Sequence, residues 1–277
     1  MQPSPTTASR RRLSTGPACD GRRTREATGP PNNLVGLTLL IGFLGLGVAL
    51  AMSPAATGPL TFGFVMIGWV LAVMAHEFAH AWVACAAGDT TVKAKGYLSF
   101  DPRRYGDLAT SLVIPLMALA LGGIGFPGGA VYLRNDLMRS RPWRAAASLA
   151  GPGATLLVLL SLTLALSLWH QDAAPSGALF NAVAMLAFLQ AMALVLNLLP
   201  VPGLDGFNAL RLFLPTSWAP TIRKVEGVAM LALLGALFFL PGVGSQLFSA
   251  AAGLASVLGV PRDAMADGWN AFHFWKG

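Results

Sequence analysis

The sequence predicts an all-α polytopic membrane protein: about six transmembrane helices, a re-entrant or hairpin segment, and short strands after the second helix. Three observations predict it. Of 277 residues, 55% are hydrophobic and only 11% are charged, where a soluble domain carries about a quarter charged. Apolar runs long enough to cross a bilayer recur along the chain. The Lys and Arg lie in short clusters between those runs, which is the pattern of topology signals. The net charge of +7 is thereby explained without nucleic acid, and no Gly-rich phosphate loop or basic-aromatic interleaving is present.

The elements follow in order. Residues 1–33 are rich in Pro, Ser, Thr, Gly and Arg and almost lack large apolar side chains; they cannot bury a core and read as a disordered basic tail. Residues 34–52 exceed the apolar region of a secretory leader and read as an uncleaved first span. The arginines before it (Arg10, Arg11, Arg12, Arg22, Arg23 and Arg25) place the N-terminus in the cytoplasm, with the protein in the cell membrane. Residues 60–87 then return inward. Gly88 to Asp107 reads as short strands or loop, with Lys93, Lys95, Arg103 and Arg104 set against three aspartates.

Residues 108–126 pose the topological problem, being apolar but broken by Pro115 and followed by a run of glycines. If they crossed, the loop with Arg134, Arg139, Arg141 and Arg144 would lie outside, against the positive-inside bias. A re-entrant segment shielded by protein keeps both basic loops cytoplasmic. Two further spans, 145–169 and 178–199, are joined by a polar turn at His170. Residues 225–260, with a break at Pro241-Gly242, form one helical hairpin or two short spans. The membrane-embedded domain is thus 34–260. Residues 261–277, with Trp269, Phe272, His273, Phe274 and Trp275, read as an interfacial segment. Cys19 and Cys85 give no disulfide framework.

The chemistry sits near the end of the second span, in His76-Glu77-Phe78-Ala79-His80. Residues four apart on a helix share one face, so His76 and His80 stack one turn apart and can bind one zinc ion, with Glu77 beside them. Zinc lowers the pKa of a bound water, and a neighbouring carboxylate can take its proton during attack on a carbonyl. Ionisable residues in an apolar span are costly and mark function. His170 and His273 sit among interfacial aromatics and are poor candidates for ligands.

A catalytic zinc needs a third protein ligand and one open position. Apart from Glu77, Asp205 is the acidic residue that borders an apolar span with helix-breaking neighbours. Its plainer reading is a helix N-cap, since a helix can resume at Gly206. Topology adds independent weight, because a re-entrant 108–126 puts the Asp205 end of its span and the His80 end of the second span on the same side.

Taken together, His76-Glu77-Phe78-Ala79-His80 and Asn197-Leu198-Leu199-Pro200-Val201-Pro202-Gly203-Leu204-Asp205-Gly206 resemble the site-2 protease family of intramembrane zinc metalloproteases (peptidase family M50), whose second signature is N-x-x-P-x-P-x-L-D-G. The Gly-rich stretch from Gly122 to Tyr132 and Ala150-Gly151-Pro152 support the match, which covers about residues 60–215. The resemblance implies that His76, His80 and Asp205 bind Zn2+, that Glu77 is the catalytic base, and that Asn197 helps hold the substrate strand. It also implies a membrane-protein substrate cut within or next to its transmembrane helix. Two positions depart from the family: Thr155, where Asn is frequent, and Phe207, where a second glycine is frequent. No segment is long enough for an inserted PDZ module, and no nucleotide-binding domain follows. The rival reading is a zinc-binding transporter or a catalytically silent zinc-bearing scaffold. A transporter would want further ionisable residues along a pathway, and Glu77 and Asp205 stand nearly alone.

Overall fold

The computed structural model describes residues 33–52, 57–105, 114–122, 133–170 and 177–276, and every regular element among them is helical. Ten α-helices run in chain order: α1 (Leu34–Met52), α2 (Thr57–Ala87), α3 (Thr91–Ala94), α4 (Ile114–Gly122), α5 (Arg141–His170), α6 (Ala178–Asn197), α7 (Asp205–Leu210), α8 (Ala219–Phe239), α9 (Val243–Val257) and α10 (Arg262–Phe272). Four of them, α1, α2, α5 and α6, are long and apolar enough to cross a membrane. The count is five if α8 and α9, bent by 89° at their junction, make one broken span. Among the described residues that is fewer than the six expected; the chain turns sharply at Pro241-Gly242 and neither half passes as a span by itself.

The centre of the bundle is α6. Its apolar residues are buried on all sides, with Met185, Leu189, Met192 and Leu196 at 0% exposure, and it packs against α2, α5, α9 and α10. Lipid is as apolar as leucine, so this packing is held by close van der Waals contact rather than by escape from water. Small residues make the contact possible: Ala182, Ala184, Ala187, Ala191 and Ala193 are all buried. The C-terminal helix α10 docks on α6 and α2, where Trp269 meets Phe188 and Phe248 edge-on. Phe272 is fully buried and His273 is 4% exposed. His273 donates from Nδ1 to the Trp269 carbonyl, and burial pushes its pKa below the ordinary value.

No strand occurs among the described residues after α2, where short strands were expected. Gly88 takes a left-handed φ of +117°, which ends α2. Local side-chain bonds then claim the backbone that a strand would need. Asp89 Oδ1 accepts from Thr91 N and Oγ1, and Asp101 accepts from Arg103 N at 3.1 Å. The Arg103 guanidinium also holds the Asp101 carboxyl below the usual carboxylate range. The result is α3 and a 3-10 turn at Pro102–Arg104. Cys85 is 3% exposed and packs from α2 into the core; Cys19 lies outside the described residues.

Of the stretch expected to be re-entrant, residues 114–122 are described and form α4; the remainder of 108–126 lies outside the described residues, as do residues 1–32 of the basic tail. Nine residues of helix rise about 14 Å, half of a hydrocarbon core or less. The loops on either side are tied together. Asp89 Oδ2 accepts from Arg134 N at 2.8 Å, Arg139 N donates to Ala87 O at 2.9 Å, and the Arg139 side chain reaches the Ala86 carbonyl. The end of α2 and the approach to α5 therefore meet at one end of the bundle.

Candidate metal centre

Three elements converge at that end. The chain places His76 and His80 one turn apart on α2, and both are 6% exposed. After α6, the prolines of Pro200-Val201-Pro202 deny the helix its backbone donors. The chain turns through a Val201–Leu204 hydrogen bond and restarts as α7 at Asp205. Leu204 occupies the N-cap position of α7 without a side-chain cap bond, so the plainer capping reading of Asp205 does not hold. Its carboxylate turns instead to the two imidazoles. Gly206 makes this possible: a Cβ there would lie 2.5 Å from the Leu198 carbonyl oxygen, so only glycine lets α7 fold so closely onto the end of α6.

The three ligand-type atoms lie almost equidistant. His76 Nε2 and His80 Nε2 are 3.0 Å apart, and Asp205 Oδ2 is 3.1 Å from the first and 3.4 Å from the second. A tetrahedral zinc with bonds of about 2.0–2.1 Å sets its ligand atoms about 3.3 Å apart. The far side of each ring is fixed as well. His80 Nδ1 donates to the Ala147 carbonyl at 2.7 Å, which leaves the Nε2 lone pair facing the centre. His76 Nδ1 pairs with Thr155 Oγ1 at 2.9 Å. With both Nδ1 atoms engaged, two Nε2 atoms and a carboxylate oxygen are turned on one point, a donor set that a divalent cation can satisfy.

The α5 backbone forms the remaining wall. A Cβ added at Gly151 would strike Nε2 of both His76 and His80, so the space beside the three atoms exists because this residue has no side chain. The donor set, its spacing and this cradle fit a zinc ion.

Glu77 and Asn197 are each 3% exposed and line a cavity next to the centre. That cavity lies between α2, α5 and α6, and also takes in Trp69, Thr155 and Gln190. All five residues singled out in the sequence are thus brought together. Sequence reasoning missed the partners that orient the imidazoles. Thr155 had been noted only as a departure from a family pattern, although it is polar where that pattern is polar. Ala147 acts through its carbonyl and leaves no sequence signal. His273, by contrast, lies with the C-terminal aromatics and joins no ligand cluster among the described residues.

Comparison with known proteins agrees with this chemistry. No family model and no solved structure matches. Over 257 residues, 91% of this chain and 96% of the relative, the chain is 38% identical to a Mycobacterium tuberculosis protein named "Putative zinc metalloprotease Rip2". The Mycolicibacterium smegmatis protein of the same name is 38% identical over 245 residues, 86% of this chain and 92% of the relative. YwhC of Bacillus subtilis, which carries a zinc metalloprotease name of the same kind, is 26% identical over 66% of this chain and 83% of its own length. An all-helical membrane protein with such relatives and such a donor set is a zinc enzyme that cuts peptide bonds, and the chain belongs to the Rip family of intramembrane zinc metalloproteases, of the site-2 protease type.

Proposed function

We propose that His76, His80 and Asp205 hold the catalytic zinc, that Glu77 is the general base, and that Asn197 holds the substrate strand. The substrate is a membrane protein, cut within or next to a transmembrane helix. The observation that carries this reading is the trio of atoms at 3.0–3.4 Å beside a cavity lined by Glu77 and Asn197 inside the helical bundle.

Zinc bound there would polarise the scissile carbonyl and make water more acidic. Glu77 follows His76 in the chain and borders the same cavity, so its carboxylate takes the proton of the attacking water and passes it to the leaving amine. The substrate backbone reaches this place only if its helix unwinds locally, since its carbonyls are otherwise engaged in the helix. Asn197 Nδ2 is buried with no hydrogen-bond partner, which suits a donor kept for a carbonyl freed in that way. Trp69, Ala72, Val73 and Ala193 make much of the wall apolar, which strengthens charge interactions inside the cavity.

The orientation follows from the basic clusters. The tail 1–33 and the loops carrying Arg103, Arg104, Arg134 and Arg139 lie in the cytoplasm, with 34–260 embedded in the cell membrane and 261–277 at its interface. The ties between the Ala86–Asp89 region and Arg134–Arg139 favour a re-entrant course for the segment between, with the zinc near the cytoplasmic boundary.

Glu77→Gln tests the mechanism. It keeps the side-chain shape and removes the basic oxygen, so it should retain zinc and fold while cleavage of a reconstituted membrane substrate falls at least ~100-fold. Undiminished cleavage in this variant would sink the role given to Glu77 and reopen the possibility of a silent zinc-bearing scaffold.

A further inference from the structure

One side chain of the cavity has no part in the chemistry above. Gln190 lies on α6 seven residues before Asn197, on the same face. It is 2% exposed, and its Nε2 is buried with no hydrogen-bond partner. It lines the cavity that holds His76, Glu77 and Asn197. A glutamine in an otherwise apolar span usually ties helices together through its amide. Here the donor meets no acceptor on the walls around it, so a role as interhelical glue leaves it unexplained. A buried, unpaired N–H is destabilising, and the helix carries one at each end of the same cavity.

We infer that Gln190 is a second substrate-holding amide, whose Nε2–H donates to a backbone carbonyl of the unwound substrate deeper in the membrane than Asn197 does. The inference rests on the proposed protease reading and deepens it. Seven helical residues span about 10 Å, and an extended chain covers that distance in about three residues. The wall between the two amides is apolar, with Ala72, Val73 and Ala193 along it and Trp69 at the deep end. A carbonyl freed from its helix there has no water to bond with and needs a donor from protein. Asn197 and Gln190 supply two donors at opposite ends of a three-residue stretch. The substrate feature read at this site is therefore backbone opened over about three residues, rather than any one side chain.

The test uses the full chain, loaded with zinc in detergent, with Gln190→Met, which keeps the length of the side chain and removes the donor. Two readouts separate the outcomes. The first needs no substrate. If the amide is kept for a ligand, Gln190→Met holds its full zinc content and melts at or above the wild-type temperature; a lower melting temperature together with zinc loss would make Gln190 structural and overturn the inference. The second uses a fluorescein-labelled peptide whose twenty-residue apolar helix carries a central Gly-Pro break. Gln190→Met should lower kcat/KM about tenfold, mainly through KM, as expected for one lost hydrogen bond. It should also weaken binding of the peptide to the Glu77→Gln protein by a similar factor. Unchanged kcat/KM and binding would overturn the inference while the protease reading stands. If the wild type cuts no such peptide, the protease reading fails on this probe, and the melting and zinc measurements still decide whether Gln190 is structural.

Discussion

Helices α1 and α6 are nearly the same length, 19 and 20 residues, and both qualify as membrane spans, yet 17% of one and 78% of the other is buried in protein. The polar content differs in the same sense. In α1 the one polar side chain is Thr38, which bonds back to its own helix at the Leu34 carbonyl. In α6 there are Asn181, Gln190 and Asn197, the last two buried. Hydropathy shows that a helix can cross a membrane. The amides show which of two similarly apolar helices is surrounded by protein, because an amide facing lipid would be costly.

The comparison extends first to glycines, one on α5, which with α6 walls the site, and one on α1. Gly151→Ala should remove nearly all bound zinc and with it the activity, because the new methyl group takes the space beside both Nε2 atoms. Gly45→Ala on α1, where a Cβ meets nothing within 4 Å, should change neither; metal analysis of the two purified variants decides. A smaller effect comes from packing. Leu189 on α6 is 0% exposed and Leu44 on α1 is 59% exposed. Leu189→Ala should destabilise the protein by about 2–5 kcal/mol, read from denaturant titration in detergent. Leu44→Ala should cost less than about 0.5 kcal/mol, and equal losses would mean that α1 is as enclosed as α6.

The smallest of the three effects lies one shell out from the metal. Thr155→Val keeps the shape but removes the hydroxyl bonded to His76 Nδ1. Zinc affinity should fall about 10–100-fold, measured by competition with a chelator, while Thr38→Val on α1 leaves it unchanged. No difference between the two would show that the orientation of His76 is set by ring packing alone.

Much of the site was legible because its chemistry is concentrated in side chains. His76, Glu77 and His80 form a helical repeat, and Pro200, Pro202 and Gly203 announce that the chain must break beside Asp205. Read from the basic clusters, a re-entrant 108–126 puts the two ends of the site on the same side. What was not legible acts through backbone or through space. The Ala147 carbonyl has no residue-type signature, and the cradle at Gly151 is visible only when the neighbouring helix is in place. The missing strands are a different failure. Gly88 to Asp107 reads as short strands or loop, but in the described part, up to Tyr105, Asp89 and Asp101 bond to their own neighbours and commit the segment to turns. Gln190 could have been noticed from sequence, as an amide in the middle of an apolar run.

The wide separation of the candidate ligands in the chain has a consequence for biosynthesis. His76 and Asp205 are 129 residues apart, and α5, which supplies the Gly151 wall and both imidazole partners, lies between them. During synthesis α2 is therefore in the membrane long before the residues that complete its metal site have left the ribosome. A nascent chain of this enzyme has two imidazoles without their carboxylate, their orienting partners or their cradle. On the proposed ligand set, competence to cut other membrane helices arrives only once α7 has emerged and folded back, late in assembly and all at once. A protease that shares the bilayer with every other newly inserted helix is thereby silent while it is itself being inserted.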